Sequence, residues 1–73
     1  MKYKIDLTWD KEAAVWVATS EDITGLVMES GSLDALMERV KNATTELLEL
    51  NSHKGKRTQI LFHSTRVDDL VPA

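Results

Sequence analysis

The architecture of this 73-residue chain follows from one stretch of its sequence, which reads Trp16-Val17-Ala18-Thr19-Ser20-Glu21-Asp22-Ile23-Thr24-Gly25-Leu26. Its apolar first part, with a tryptophan followed by a valine and an alanine, is typical of a strand. Asp22 and Gly25 then favour a turn, because glycine adopts a positive φ that other residues resist. A short strand from Leu26 to Ser30 follows, and Ser32 is a good helix N-cap. So compact a unit of sheet and helix favours a binding module over an enzyme.

Two more strands are predicted from the residues on either side of this stretch. Apolar and polar residues alternate from Tyr3 to Trp9, which predicts a strand with one apolar face. Asp10 to Ala13 is a plausible type I hairpin turn, in which the carboxylate of Asp10 accepts hydrogen bonds from nearby amides. A last strand is predicted from Thr58 to Val67.

The second strand, from Ala14 to Thr19, has apolar side chains on both faces. Val15 and Val17 point one way, and Trp16 and Ala18 the other. We expect Trp16 and Ala18 to lie near the centre of the sheet face that the helix does not cover.

A helix from about 33 to 50 is the strongest prediction. Its apolar residues recur at spacings of three and four, and they are Leu33, Leu36, Met37, Val40, Ala43, Leu47 and Leu50. A polar loop from 51 to 55 ends it.

These elements predict an α+β fold in two layers, with the element order β-β-β-α-β. The helix is a crossover that brings the last strand parallel to the first, so we predict a mixed four-stranded sheet of order 3-2-1-4. One helix covers one face. The whole chain, 1–73, is expected to be a single domain.

Composition narrows the function. The chain contains no cysteine and two histidines, so neither disulfides nor a structural zinc site are expected, and we predict no metal and no cofactor. A core this small gains from oligomerisation, so a homodimer is expected. No apolar run is long enough to span a bilayer, and no signal-peptide block opens the chain, so we expect no membrane association and a cytoplasmic location.

Charge is unevenly distributed along the chain. Residues 1–50 carry a net charge of −5 and residues 51–73 a net charge of +2, which gives −3 overall. An acidic body repels the phosphate backbone of nucleic acids and suits a basic protein partner.

The chain resembles the HicB-type antitoxins, in the short single-domain variety of that superfamily. The resemblance rests on the opening strand from Tyr3 to Leu7, the hairpin, Trp16-Val17-Ala18, the turn Asp22-Ile23-Thr24-Gly25-Leu26 and the helix start Ser32-Leu33-Asp34-Ala35-Leu36. It covers essentially the whole chain. The family usually has Asp-x-Pro-Gly at the turn, so Thr24 departs from the pattern.

The resemblance implies a partial RNase H-like fold that binds and neutralises a small, basic RNA-cleaving toxin of the HicA type. It implies no direct DNA binding, because the sequence ends about where the DNA-binding domain of longer family members would start. We predict partner contacts through five residues: Trp16, Glu21, Asp22, Ile23 and Leu26. Trp16 can equally well be a core residue. Glu12, Glu29, Glu21 and Asp22 are expected to form the acidic surface that attracts the partner.

Two alternatives from other classes stay open. The chain can be an orphan, self-associating interaction domain whose target is unknown. It can also be a nuclease, in which Asp6, Glu38 and Asp68 hold a metal ion. We favour the non-catalytic interpretation and predict no catalytic residue, because carboxylates at such positions are usually solvated surface. Ordinary surface roles are expected for His53, for His63 and for the basic cluster Lys54-Gly55-Lys56-Arg57.

Overall fold

A computed structural model describes residues 1–48 and 57–72 of the chain. In chain order the elements are β1 (Lys2–Asp10), β2 (Val15–Thr19), β3 (Val27–Ser30), α1 (Leu33–Leu47) and β4 (Gln59–Thr65). The sheet has the order β3-β2-β1-β4. β2 is antiparallel to β1 and to β3, whereas β4 is parallel to β1. The predicted α+β fold, element order and strand order are confirmed.

The core lies between α1 and one face of the sheet, which we call the helix-side face. The strand register aligns Ile5 with Phe62 and Leu7 with Ala18, so these side chains point to the same side. α1 packs over β2 and β3. The buried apolar residues are Ile5, Leu7, Ala18, Ile23, Leu26, Leu36 and Val40.

The predicted orientation of β2 was wrong. Trp16 pairs with Trp9 and Ala18 with Leu7, so both lie on the helix-side face, and Ala18 is fully buried. The opposite face carries Val15 and Val17 instead. Because β2 is apolar on both sides, its sequence pattern is compatible with either orientation, and the pairing with Leu7 settles which one is adopted.

The first hairpin closes as its sequence predicts. Asp10 Oδ1 accepts hydrogen bonds from the backbone N–H groups of Glu12 and Ala13, each at 3.1 Å. β2 begins at Val15 and not at the predicted Ala14, because Ala14 has a φ of 55° and is therefore not extended. β4 is shorter than predicted and ends at Thr65, where the tail leaves the sheet.

α1 begins as predicted, with the Ser32 hydroxyl accepting a hydrogen bond from the N–H of Ala35 at 3.3 Å. Its last helical residue is Leu47, and the predicted extension to residue 50 lies outside the described residues from 49 onward. Leu47 was wrongly assigned to the buried face, since it is 51% exposed. Thr44 is buried instead, because it lies one turn after Val40 on the helix ridge that faces the sheet. Within residues 1–48 and 57–72, no helix has the length and apolar character that crossing a bilayer requires.

Candidate protein-binding surface

The sheet face opposite α1, which we call the open face, carries exposed apolar side chains. By the strand register it consists of the even-numbered residues of β1 and the side chains that pair with them. Val27 is 72% exposed and Leu61 is 50% exposed. Its apolar residues are Val15, Val17, Val27 and Leu61. These side chains make the open face the candidate surface for contact with another molecule.

The apolar part of the open face is divided in two by β1. Val17 is paired with Glu29, and Val27 is paired with Thr19, so the two valines are diagonal neighbours across β2 and β3. Leu61 pairs with Lys4 on the other side of β1. The larger apolar area therefore lies over β2 and β3.

Polar side chains of β1 and β4 lie close together between these two areas. Asp6 Oδ1 lies 3.8 Å from Lys4 Nζ and 3.9 Å from His63 Nδ1. Such long, exposed pairs contribute little to stability. Glu29, next to Val17, has no cation within salt-bridge distance among the described residues. The β3 side of the open face therefore combines apolar side chains with an uncompensated negative charge.

An open depression of about 530 Å³ lies between β1 and β2 on this side of the sheet. Thr8, Val17 and Thr19 line it, and the hairpin residues Asp10 and Glu12 border it. It lies next to Val17, beside the apolar side chains of the open face.

The loop after β2 is held to β1 by two side chains. The Ser20 hydroxyl donates to the C=O of Lys4 at 2.7 Å and accepts from the N–H groups of Asp22 and Ile23 at 3.1 and 3.2 Å. The Asp22 carboxylate accepts from the N–H of Lys4 at 2.7 Å. β2 ends at Thr19 and does not reach Lys4. The two side chains therefore make the hydrogen bonds to the N–H and C=O of Lys4 that a strand would otherwise make.

The turn that follows closes one residue later than predicted. The N–H of Leu26 donates to the C=O of Ile23 at 3.3 Å, and Gly25 has a φ of 84°. A positive φ at the third turn position is the mark of a type II turn, which requires glycine there and favours proline at the second position. Thr24 occupies that second position.

The five predicted contact residues are not brought together on one surface. Ile23 and Leu26 are only 2% and 3% exposed, so they belong to the core and offer no surface to a partner in this conformation. Asp22 is exposed, but its carboxylate is bonded to Lys4. Glu21 is exposed beside it. Contact roles for these residues stay predictions.

Trp16, the fifth predicted contact residue, is half-buried on the helix-side face and packs against the core. Its ring centroid lies 5.4 Å from that of Trp9, with a tilt of 59° between the rings. The guanidinium carbon of Arg66 lies 4.2 Å from the centroid of Trp9. Trp16 therefore packs against the core on one side and against Trp9 on the other. The tail is held to this end of the sheet by the cation–π contact between Arg66 and Trp9.

The predicted acidic surface is split between the two ends of the sheet. Glu12 lies in the hairpin that follows β1, whereas Glu21 and Asp22 follow β2, which runs in the opposite direction. Glu29 is on β3, on the open face. This separation follows from the predicted hairpin, because the whole of β2 lies between Glu12 and Glu21.

The carboxylates of the nuclease alternative lie far apart in the fold. Asp6 is on the open face, Glu38 is on α1 and bonds Lys41 Nζ at 2.9 Å, and Asp68 is in the tail and bonds Arg66 Nε at 2.9 Å. Among residues 1–48 and 57–72, no group of three His, Cys, Asp or Glu side chains is placed to hold a metal ion. Of the other candidates, His53 and residues 54–56 of the basic cluster lie outside the described residues.

Comparison with known proteins places the chain in a family. Its structure is similar to the crystal structure of a hypothetical protein from the extremely thermophilic bacterium Thermus thermophilus, with a TM-score of 0.69 and 32% sequence identity. The similarity covers 97% of this chain and 99% of that protein. No curated protein matches the sequence. The model of the family described as "domain of unknown function (DUF1902)" matches residues 2–70, and the chain therefore belongs to the DUF1902 family.

Proposed function

We propose that this chain is a non-catalytic protein-binding module of the HicB-like type, which captures a small basic RNA-cleaving toxin of the HicA type. The observation that carries the proposal is the β3 side of the open face, where Val17 and the exposed Val27 lie next to the uncompensated Glu29. An apolar surface beside a carboxylate that no cation of residues 1–48 and 57–72 pairs suits a partner that presents apolar side chains within a basic surface.

Two features of the fold support the HicB-like type. The β-β-β-α-β order with strands 3-2-1-4 is compatible with the partial RNase H-like fold that the resemblance implies. The turn from Ile23 to Leu26 has the geometry in which the family's usual proline fits at position 24. Threonine at this position keeps the turn, because Gly25 supplies the positive φ.

The physical contributions to binding differ in kind. Burial of the Val27 side chain at an interface contributes on the order of 1–2 kcal/mol, since most of it is exposed in the free protein. The net charge of −3 accelerates the encounter with a basic partner more than it raises the affinity. Val27 is therefore the side chain whose replacement gives the clearest test.

The test is the affinity for a catalytically inactive HicA-type toxin from the same organism, measured by isothermal titration calorimetry. Val27→Lys removes the apolar contact and places a positive charge on the β3 side of the open face. Ala35→Lys adds the same charge at an exposed position of α1, across the sheet, and is the matched control. We expect Val27→Lys to raise the Kd at least about tenfold, which corresponds to about 1.4 kcal/mol, and Ala35→Lys to change it less than about threefold.

Two outcomes would overturn the proposal. One is a folded wild-type chain that binds no HicA-type toxin of its organism. The other is equal weakening by Val27→Lys and Ala35→Lys, which would assign the effect to net charge and not to the open face.

A second candidate function, a self-associating interaction domain, is favoured by a separate observation at the outer edge of β4. In that case the chain is an orphan domain that associates with a second copy and whose further target is unknown.

A further inference from the structure

The outer edge of β4 presents backbone groups that the sheet does not use. The N–H of Gln59 donates to the C=O of Met1 at 2.8 Å, so the backbone groups of Gln59 face β1. Because these groups alternate along a strand, those of Ile60, Phe62 and Ser64 point away from the sheet. Within residues 1–48 and 57–72, no hydrogen bond to these outward groups is present.

The opposite edge of the sheet is protected, in contrast to β4. β3 has four residues, and the C=O of Glu29 accepts a hydrogen bond from Arg39 Nη1 of α1 at 3.1 Å. Short edge strands and edges covered by a helix are devices that prevent pairing with another chain. β4 has seven residues, Gln-Ile-Leu-Phe-His-Ser-Thr, with no proline, lysine, arginine or carboxylate among them.

The tail does not run along this edge. Arg66 lies over Trp9, and Lys11 Nζ bonds Asp69 Oδ2 at 2.6 Å, so both contacts direct the tail toward β1 and its hairpin. The described part of the chain after β4 therefore turns to the inner side of the strand and does not cover the outer backbone groups.

We propose that β4 is the docking site for a second copy of this chain, which adds its own β4 antiparallel to the first. The two sheets then form one continuous sheet with a two-fold axis at Phe62. In this register the outward-facing backbone N–H and C=O groups of the two strands bond to one another. Phe62 pairs with Phe62 of the second copy, and Ile60 pairs with Ser64 of the second copy. It places the two Phe62 rings side by side on the helix-side face, and Leu61 opposite His63 of the second copy on the open face.

The absence of charged side chains on β4 favours a second copy over a charged peptide as the occupant. Each chain carries a net charge of −3, so two copies repel each other over most of their surface. β4 has no side chain with a permanent charge, so two β4 strands meet without the repulsion that like charges cause on paired strands. A charged peptide, in contrast, finds no complementary charge on β4.

The first test is the oligomeric state of the purified chain, measured by sedimentation equilibrium over a range of concentrations. Ser64→Pro removes an outward N–H but no bond to β1, because edge strands tolerate proline where the N–H points outward. Ser64→Ala keeps that N–H and is the matched control. We expect the wild type and Ser64→Ala to dimerise alike, and Ser64→Pro to raise the dissociation constant of the dimer at least about tenfold with an unchanged circular dichroism spectrum.

The second test reads the register and does not depend on the proline variant. Since the chain has no cysteine, Leu61→Cys and His63→Cys each introduce a single thiol. In the proposed dimer these two positions face each other between copies, within disulfide distance. An equimolar mixture of the two variants should form a disulfide-linked dimer much faster than either variant alone. A mixture of Val27→Cys and His63→Cys is the control, because Val27 lies on the distant strand β3.

A wild-type chain that stays monomeric at millimolar concentration would overturn the proposal. So would a dimer that Ser64→Pro leaves intact and in which the Leu61→Cys and His63→Cys mixture does not cross-link. Strand addition by a toxin would also overturn it. The chain would then be monomeric, and the Leu61→Cys variant would cross-link to the toxin. Failure here leaves toxin capture at Val27 untouched, because Val27→Lys does not alter β4.

Discussion

The buried hydroxyl of Thr44 gives the most direct test of the packing. Thr44 is 1% exposed, and its Oγ1 has no hydrogen-bond partner among the described residues. Thr44→Val replaces that hydroxyl with a methyl group of similar size. Both residues are β-branched with similar helix propensity, so the helix itself is little affected.

The expected gain follows from two contributions. A buried hydroxyl without a partner costs about 1–3 kcal/mol, and burial of one additional methyl group contributes about 0.8 kcal/mol. We therefore expect Thr44→Val to raise the free energy of unfolding by about 2–4 kcal/mol. For a domain of this size, each kcal/mol corresponds to a rise in Tm of roughly 4–8 °C.

Urea denaturation followed by circular dichroism measures this gain, at one fixed protein concentration because dimerisation adds to the apparent stability. Thr45→Val is the matched control. Thr45 is exposed, and its hydroxyl donates to the C=O of Lys41 at 3.0 Å, so we expect a change within about 0.5 kcal/mol. Equal effects of the two substitutions, or a loss of stability in Thr44→Val, would refute the reasoning and show that the Thr44 hydroxyl has a partner.

Two further predictions concern the loops. Ser20→Ala should lower the free energy of unfolding by about 1–3 kcal/mol, because the hydroxyl bonds the C=O of Lys4 and two loop amides. The control Glu21→Gln should leave it unchanged, and equal stabilities of the two variants in urea would contradict this role of Ser20. Ala14→Gly should raise the free energy of unfolding by about 0.5–1 kcal/mol. Glycine removes the strain of the left-handed backbone at this position, and this gain exceeds the loss from the greater entropy of glycine in the unfolded chain. A lower Tm of the variant would contradict this.

The candidate site was less predictable than the fold. Glu21, Asp22, Ile23 and Leu26 are close in sequence, which suggested one contact surface. In the structure the Asp22 carboxylate bonds the backbone of β1, while the two apolar side chains enter the core. The sequence does not show that β1 lies beside this loop. Without that position, a side chain that faces solvent cannot be told from one that bonds or packs within the fold. The surface on which the proposed function rests, around Val27, was not among the predicted contacts.

The sequence was sufficient for the features that depend on neighbouring residues. Asp10 closes the hairpin, Ser32 caps α1 and Gly25 supplies a positive φ, because each acts through hydrogen bonds or torsions a few residues apart. The order of the elements then restricts the strand order, since a helix between two strands joins them in parallel.

Tertiary structure was needed wherever a residue's role depends on a distant part of the chain. The face of β2 depends on the pairing of Ala18 with Leu7, and the burial of polar Thr44 depends on the ridge of α1 that meets the sheet. The unprotected edge of β4 likewise follows from its place outside β1. Side-chain periodicity specifies which residues share a face, but only packing between elements decides which face turns inward.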